Sequence, residues 1–429
     1  MRKFALIATS LALAAVTACA PPQASTPVST ADEETGTLRV WLFSEVNQAP
    51  KEQIVNEAIG EFEAAHDGVT VEVQYIPVDT RSERFRAAFN DPSSAPDVAE
   101  FGNTDLAGYV DAGGLADMTQ HISGWEDAKD LDAAALETTK IDGVSYAVPW
   151  YVGVRALFYR TDVFEQLKLE APKTLADVEQ AALAIRAANS EMVGISTGGA
   201  AQFAYMPYLW AHGGELAVNE GDTWTSGLDS AEAKAGLAAY TRLISDDICP
   251  PTTCAEWGGN ASVQQFVAGG AGMTIGGNFN VAAVDESDIG DSYAIIPLPG
   301  VEAGSIAPAF AGGNHLGVFK SSQRSTLAVD FVKLLAGKEY QAKMFDAMGN
   351  LPTFVDVQET VAAANPEMAP FIETIAAGTK FVPVTASWNT VDAQGVIPSL
   401  IQSVVTGAAD VETASTSAAK TMNDVFAGQ

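Results

Sequence analysis

The side chains that usually carry metal-dependent, cofactor-dependent or glycosidase catalysis show no clear pattern in this sequence. There is no H-E-x-x-H zinc pair, and the four histidines are far apart along the chain. The stretch GAGMTIG, from Gly270, lacks the spacing of a dinucleotide fingerprint and follows the helix-like VQQFVAG where a strand would be needed. A glycosidase needs two carboxylates across a sugar bond, and among 54 acidic residues the sequence singles out no such pair. We therefore predict no catalytic residue, no metal ligand and no cofactor.

Cys19 ends a short apolar stretch that has the three parts of a secretory signal. Arg2 and Lys3 form a basic start, an apolar segment follows up to about Val16, and small residues precede the cysteine. The segment is shorter than the roughly 20 apolar residues that cross a bilayer. The sequence VTAC, which ends at Cys19, resembles the bacterial lipobox, in which the thiol accepts a diacylglyceryl group. We predict a lipoprotein signal peptide at 1–18 and a lipid anchor at the extracellular face of the cell membrane; an ordinary signal peptide with an incidental cysteine is the alternative.

Residues 19–36 have the composition of a flexible tether. Pro, Ser, Thr and acidic residues dominate this segment, and nothing in it could bury a core. Folding is expected to begin near Thr37.

The charge balance bears on possible partners. The chain has 23 basic and 54 acidic residues, a formal net charge of −31. Phosphate binding depends on clustered Lys and Arg, which the sequence lacks, so a nucleic-acid partner is excluded. With 47 % hydrophobic residues the chain can fill a substantial core.

Cys249 and Cys254 are the two other thiols. In an exported protein, cysteines this close in sequence are expected to form a disulfide. Closing so short a loop would stabilise the fold by roughly 2 kcal/mol in the chain-entropy model. A metal or redox role would need further ligands that the surrounding sequence does not supply.

Strand and helix patterns alternate at the start of the mature chain. The segments TLRVWLF, from Thr37, and VTVEVQY, from Val69, each place alternate apolar side chains on one face. Residues 54–65 between them are typical of a helix. Further on, Thr174 with Asp177 three residues later has the pattern of a helix start. This alternation predicts a layered α/β fold.

Four stretches resemble the extracellular solute-binding proteins of bacterial ABC importers, specifically the sugar-binding group that is similar to maltose-binding protein. The resemblance covers essentially the whole mature chain, and its four blocks occur in the family's order: APDVAEFGNTDLAGYVDAGGLADMT (95–119), IDGVSYAVPWYVGVRALFYRTDVFEQLKLEAPKTLADV (141–178), FVAGGAGMTIGGNFNVAAV (266–284) and APAFAGGNHLGVFKSSQRSTLAVDFVKLLAGKEYQAKMFDAMGNLPT (307–353). Many relatives have a tryptophan where this chain has Phe279 in GGNFN.

The resemblance implies a two-lobe, type II periplasmic-binding-protein-like α/β fold with hinge strands and an interlobe cleft. Lobe 1 is expected to contain 37–150 and 300–345, and lobe 2 to contain 151–299 and 346–429, with crossings near 149–156 and 293–299. It further implies a monomer that captures a sugar by hinge closure and delivers it to the permease subunits of an ABC importer, without catalysing a reaction. The expected sugar is an oligosaccharide.

A sugar site needs polar side chains for hydroxyls and aromatic rings for the C–H faces. Loops after predicted strands and positions where relatives contact ligand supply such residues. The candidate ligand-binding residues are Ser44, Glu45, Asn47, Asn103, Asp105, Trp150, Tyr151, Tyr205, Asn278, Asn280, Asn314 and Trp388. Trp388 is expected to project from a loop into the cleft.

Two other functions stay open on the sequence. One is the binding of a different small polar solute, such as a glycerophosphodiester or a peptide; a phosphate would favour basic cleft residues, of which Arg155 is the main example. The other is a surface-anchored carbohydrate-active enzyme.

Overall fold

The structure, a computed structural model, describes residues 32–45, 48–77, 80–221 and 223–428. The signal peptide, Cys19 and Asn47 lie outside the described residues. The strands in the described chain are β1 (Gly36–Phe43), β2 (Val69–Ile76), β3 (Val98–Gly102), β4 (Lys140–Ile141), β5 (Val144–Ser145), β6 (Ala147–Gly153), β7 (Arg155–Arg160), β8 (Ala217–Glu220), β9 (Thr223–Ser226), β10 (Met273–Gly277), β11 (Tyr293–Ile296), β12 (Ala309–Phe310), β13 (Gly312–Val318) and β14 (Thr379–Lys380).

Helices fill most of the remaining described chain. They are α1 (Gln48–Ala65), α2 (Arg81–Asn90), α3 (Leu106–Asp111), α4 (Thr119–Ser123), α5 (Ala133–Glu137), α6 (Thr161–Leu167), α7 (Leu175–Ala188), α8 (Gln202–Ala211), α9 (Ala231–Thr241), α10 (Pro251–Cys254), α11 (Gly259–Val267), α12 (Val281–Asp285), α13 (Ser325–Leu335), α14 (Lys338–Met348), α15 (Val355–Ala364), α16 (Ala369–Ala377), α17 (Ala386–Ala393), α18 (Val396–Val405) and α19 (Val411–Ala427), with 3-10 turns at Glu126–Asp130, Asn278–Asn280 and Pro366–Met368. The predicted helix start is confirmed, since the Thr174 hydroxyl accepts the Asp177 N–H at 3.1 Å.

Lobe 1 contains a five-stranded sheet in the order β2-β1-β3-β13-β6. β1 is parallel to β2 and β3, whereas β13 is antiparallel to β3 and β6. Leu38, Val40 and Leu42 of β1 are fully buried, as the period-two pattern predicts. Phe62 of α1 and Phe331 of α13 join the same core. The carboxyl ends of β1 and β3 therefore lie at one edge of this sheet, where their loops can reach a common site.

Lobe 2 contains a three-stranded antiparallel sheet in the order β10-β7-β11, covered by helices. Its core is larger and draws on residues between Ala156 and Phe426. A disulfide joins Cys249 and Cys254, whose Cα atoms are 6.0 Å apart, and both side chains are buried in this core.

The chain crosses between the two sheets at points that differ from the expected bounds. β6 stays paired with β13 as far as Gly153, so the first lobe 1 segment extends beyond residue 150. Ala307 and Phe310 belong to the lobe 2 core, so the return to lobe 1 occurs near Gly312 rather than at 300. Sequence patterns place a strand but not the sheet that it joins, because pairing depends on distant segments.

The expected tether extends too far. Glu33 N–H donates to the Gln323 carbonyl at 2.7 Å, and the Asp32 carboxylate accepts the Thr326 N–H at 3.0 Å. Arg324 also pairs with Glu33 and donates from Nε to the Thr35 carbonyl. Residues 32–36 are therefore fixed to lobe 1 ahead of α13.

Across the described ranges, every helix is too short or too polar to pass through a bilayer.

Candidate functional site

A cluster of polar side chains lies at the edge of lobe 1 where β1, β3, β6 and β13 meet. Glu100 of β3 is its centre. The Tyr151 hydroxyl donates to Glu100 Oε1 at 2.9 Å, and Asn314 Nδ2 donates to the same oxygen at 2.6 Å. Asn314 Nδ2 also lies 2.6 Å from the Tyr151 hydroxyl oxygen. Two predicted site residues from distant segments are thus held side by side by a carboxylate.

Lys51 of α1 links this cluster to the loop after β1. Its ammonium donates to the Phe43 carbonyl, to Glu45 Oε1 and to Glu100 Oε2, each at 2.9 Å. All three N–H donors are used, although the side chain is fully buried. Glu45 stays partly exposed, with 30 % of its side chain accessible, so one end of the network reaches solvent.

Burial and charge together set the protonation of the cluster. Burial alone would lower the pKa of Lys51, but Glu100 and Glu45 outweigh it and raise that pKa, which keeps the ammonium charged. Burial, reinforced by Glu100 and Glu45, raises the pKa of Tyr151 well above its usual value. Tyr151 therefore remains a neutral hydroxyl that donates to Glu100.

Three further predicted residues lie on the neighbouring loops. Ser44 donates from its hydroxyl to the Ile76 carbonyl at 3.1 Å. Asn103 donates from Nδ2 to the Ala311 carbonyl at 2.6 Å. Asp105 is buried and accepts from Arg81 Nε at 2.8 Å, which leaves it little freedom to contact a ligand.

Trp150 and Tyr205 are corrections to the predicted site. Trp150 is 1 % exposed in the lobe 1 core, and its indole N–H donates to the Leu335 carbonyl at 3.2 Å. Tyr205 is fully buried in α8, with its ring against that of Tyr240. Both aromatic rings stabilise a lobe, because neighbouring helices cover the face that the sequence left open.

Asn278 is also a correction, because its amide is used within the protein. Oδ1 accepts the Val154 N–H at 2.9 Å, and Nδ2 donates to the Gly349 carbonyl at 2.8 Å. These two backbone groups belong to separate segments that connect the lobes. Asn278 is fully buried and ties these segments together instead of facing a ligand.

Trp388 does not project from a loop. It is the third residue of α17, 2 % exposed, and its ring belongs to the lobe 2 core. Trp388 also borders a cavity of about 380 Å³ between the lobes. The other residues that line this cavity are Arg81, Ser82, Glu83, Arg86, Thr104, Asp105, Asn389, Asp392 and Ala393.

A second cavity is also lined by Thr104. It has a volume of about 100 Å³, and its lining from lobe 1 includes Asn103, Thr104 and Leu106. Phe310 and Phe381 contribute aromatic rings from the other side. The loop between β3 and α3 thus borders two interlobe cavities.

Lobe 2 presents an exposed aromatic ring where β10 ends. Phe279 is 38 % exposed, and a Cβ placed on Gly277 would lie 2.3 Å from its ring, so only glycine fits beneath it. Asn280 accepts the Gly277 N–H at 2.8 Å through Oδ1 and shapes this turn. Arg155 of β7 lies under the Phe279 ring at 5.6 Å and against the Phe203 ring at 5.1 Å. Phe203 in turn stacks on Phe310 at 4.7 Å.

Sequence reasoning missed Glu100, Lys51 and Phe203. The signal for Glu100 was present, because VAEFG is a buried strand with one acid in its middle. Lys51 and Phe203 carry no such signal, since each lies in a segment whose composition is ordinary for a helix.

The arrangement offers little to an enzyme. Ser196 stands in the stretch GISTG (194–198), which has the spacing of a nucleophile elbow, but it is fully buried and donates to the Met273 carbonyl at 3.3 Å. Within the ranges that the structure describes, no three His, Cys, Asp or Glu side chains could together hold a metal ion.

His315 next to the polar cluster should make stability depend on pH. It is 2 % exposed, and its Nε2 lies 3.2 Å from the Thr138 carbonyl. Burial lowers its pKa from 6.5 to about 4, so only the unfolded chain takes up a proton between these values. This contribution to stability is complete above pH 6.5 and is lost as the pH falls toward about 4.

We measure the free energy of unfolding in urea at about pH 7.5 and about pH 4.5. Between these values the free energy of unfolding of wild type should fall by about 2–3 kcal/mol more than that of His315→Gln. His121→Gln, at an exposed histidine, should keep the pH dependence of wild type. Equal pH dependence in wild type and His315→Gln would contradict the assignment.

The sequence and the fold were compared with those of known proteins. Residues 57–370 match the family of bacterial extracellular solute-binding proteins. The diacetylchitobiose binding protein DasA of Streptomyces coelicolor is 27 % identical over 306 residues, which cover 69 % of each chain. The GacH receptor of Streptomyces glaucescens has the same fold, with a TM-score of 0.80 at 22 % identity over 92 % of this chain and 99 % of that one. T. maritima MalE3 superimposes with a TM-score of 0.78 at 22 % identity over 91 % of this chain and 100 % of that one.

These matches confirm the predicted two-lobe α/β fold. They also decide against the alternative that the protein is a carbohydrate-active enzyme. The family match spans most of the chain, and the protein is therefore a member of the bacterial extracellular solute-binding proteins, a binding component and not an enzyme.

Proposed function

We propose that this protein captures an oligosaccharide outside the cell and delivers it to the permease subunits of an ABC importer. The observation that carries the proposal is that an exposed aromatic ring of lobe 2 lies against the end of the strand that carries Tyr151. A Cβ placed on Gly153 would lie 3.4 Å from the Phe279 ring, and Gly153 is two residues beyond Tyr151 in β6. The strand that supplies Tyr151 to the polar cluster thus ends beside an apolar ring of lobe 2.

This combination suits a sugar. The hydroxyls of a sugar need donors and acceptors such as Glu45, Tyr151 and Asn314, and its C–H faces need a ring such as Phe279. The relatives support the same class of ligand: DasA is named for diacetylchitobiose, and GacH was solved in complex with acarbose. Ser44, Asn103 and Asn280 complete the proposed site, and the closing movement of the lobes would bring it together.

The test is thermal unfolding of the purified domain with a panel of oligosaccharides, with a glycerophosphodiester and a short peptide included. A ligand that binds only the folded state stabilises it by about 2.7 kcal/mol at a hundredfold excess over its Kd. A rise in Tm with a sugar is expected. No rise with any sugar, or a rise with the peptide or the diester alone, would contradict the proposal.

Asn314→Ala should weaken the binding of the active sugar, because it removes a donor from the cluster. The matched control is Asn219→Ala, which alters an exposed asparagine in the hairpin β8–β9. An equal loss of sugar affinity in both variants would show that Asn314 is not part of the binding site.

We further propose that Cys19 anchors the protein to the extracellular face of the membrane through a lipid. Cys19→Ser should release the protein from the membrane or leave the signal unprocessed, because a serine hydroxyl is a much weaker nucleophile than a thiol. The measurement is the distribution of the protein between membrane and soluble fractions, with mass analysis of its N-terminus. Unchanged membrane attachment in this variant would rule the anchor out.

A further inference from the structure

Arg155 has an environment that the proposed neutral sugar site does not explain. Within the part of the chain that the structure describes, its guanidinium forms neither a hydrogen bond nor an ion pair, and its contacts are the rings of Phe203 and Phe279. The chain has 54 acidic and 23 basic residues, so an acidic partner for this guanidinium would be expected. Other cations near the cleft, Lys51 and Arg81, are paired with carboxylates.

Two helices begin beside this guanidinium. A Cβ placed on Gly259, the first residue of α11, would lie 3.8 Å from Arg155 Nη2. Phe203, whose ring contacts the guanidinium, is the second residue of α8. Neither helix has an acidic residue in its first turn or a side chain that caps it. The free N–H groups and the dipoles of both helices add positive potential where Arg155 already lacks a partner.

This arrangement has an energetic cost in the unliganded protein. Burial lowers the pKa of Arg155 to about 10, which still leaves it charged at neutral pH. A desolvated cation without a partner is unfavourable unless something compensates it, and the two rings compensate only in part. An anionic group of a ligand would complete the site.

We propose that Arg155 binds an anionic group of the transported sugar, so that the ligand is an acidic saccharide. This inference rests on the proposed function and names its substrate class. The planar guanidinium can donate two parallel hydrogen bonds to a carboxylate or a phosphate. A uronic acid and a sugar phosphate offer this same chemistry.

The negative charge of the whole protein does not prevent such binding. The net charge of −31 is spread over the entire chain, and exposed charges are screened beyond roughly 8–10 Å at physiological ionic strength. At Arg155 the ligand would meet a cation at contact distance, where screening is weak. The aromatic rings of Phe203 and Phe279 would also hold the guanidinium plane in position.

Calorimetry on the wild-type protein and three variants tests the inference. The probes are a uronate trisaccharide, the same trisaccharide with its carboxyl groups reduced to alcohols, and a sugar phosphate. The variants are Arg155→Met, Arg155→Lys and, as a matched control, Arg242→Met, which removes a surface arginine that pairs with Glu179. The Tm of each free variant is measured in parallel.

Wild type should bind an acidic probe at least tenfold more tightly than the neutral one. Arg155→Met should abolish this preference while the Tm of the free protein stays equal or rises, because an unpaired and partly buried charge is removed. Arg155→Lys should retain part of the preference, and Arg242→Met all of it. Tighter binding of the phosphate than of the uronate would identify phosphate as the anion and would support the site.

Equal binding of acidic and neutral probes by wild type would overturn the inference and leave the sugar-binding function intact. A preference that survives in Arg155→Met would also overturn it. If no saccharide, acidic or neutral, binds to wild type, the proposed function fails and this inference fails with it.

Discussion

Lys51→Met is expected to lower the free energy of unfolding by about 3–5 kcal/mol, since removal of one partner of a buried ion pair leaves the other charge uncompensated. Glu100 is fully buried and would keep its hydrogen bonds from Phe43 N–H, Tyr151 and Asn314 but lose its cation. The carbonyl of Phe43 and the carboxylate of Glu45 would lose a donor at the same time. Urea unfolding of the variant and of wild type measures the difference.

Two further variants make this result specific. Lys51→Met combined with Glu100→Gln removes both charges and should recover more than half of the loss. Lys343→Met alters a surface lysine that pairs with Glu57 and Glu339, and it should cost less than about 1 kcal/mol. Equal effects of Lys51→Met and Lys343→Met would show that the buried network contributes no more than a surface pair.

Trp388→Ala is expected to destabilise the protein by about 3–5 kcal/mol, as truncation of a large buried aromatic ring does. The sequence placed Trp388 on a loop that faces the cleft, where truncation of its ring would instead weaken sugar binding and change stability little. The structure reverses the expectation because the ring is 2 % exposed and packs in the lobe 2 core. Thermal and urea unfolding of the free variant measure the loss.

Phe279→Ala is the contrasting substitution. Its ring is 38 % exposed, so its truncation should change stability little and weaken binding of the active sugar about tenfold, which corresponds to about 1.4 kcal/mol. If Trp388→Ala keeps full stability and loses affinity, Trp388 returns to the site and the core assignment is wrong. If Phe279→Ala leaves affinity unchanged, the exposed ring is not a sugar platform.

Local patterns predicted the elements well. The alternate residues of β1 are buried on one face, and Thr174 caps α7 as its spacing with Asp177 predicts. The α/β fold and the family also followed from the sequence, because four blocks of residues occur in the order that is typical of the family and its fold. Periodicity and capping depend on residues a few positions apart, so one segment contains all the information that they need.

Side-chain exposure was the point at which prediction failed. Trp150, Tyr205, Asn278 and Trp388 have the residue types of a sugar site, yet each is buried in this structure. A polar or aromatic residue after a strand faces a ligand only if no other segment covers it. That covering segment lies far away along the chain, as Leu335 does from Trp150 and Gly349 from Asn278.

The sequence by itself determined the class of this protein: its alternating elements, its acidic surface and its membership of the solute-binding proteins. Only the tertiary structure decided the composition of the site. Glu100 meets Asn314 across 214 residues and Tyr151 across 51, and Arg155 is left unpaired between rings from two other segments. Such contacts arise when sheets and helices pack, because the free energy of a buried charge depends on every group around it and not on its neighbours in sequence.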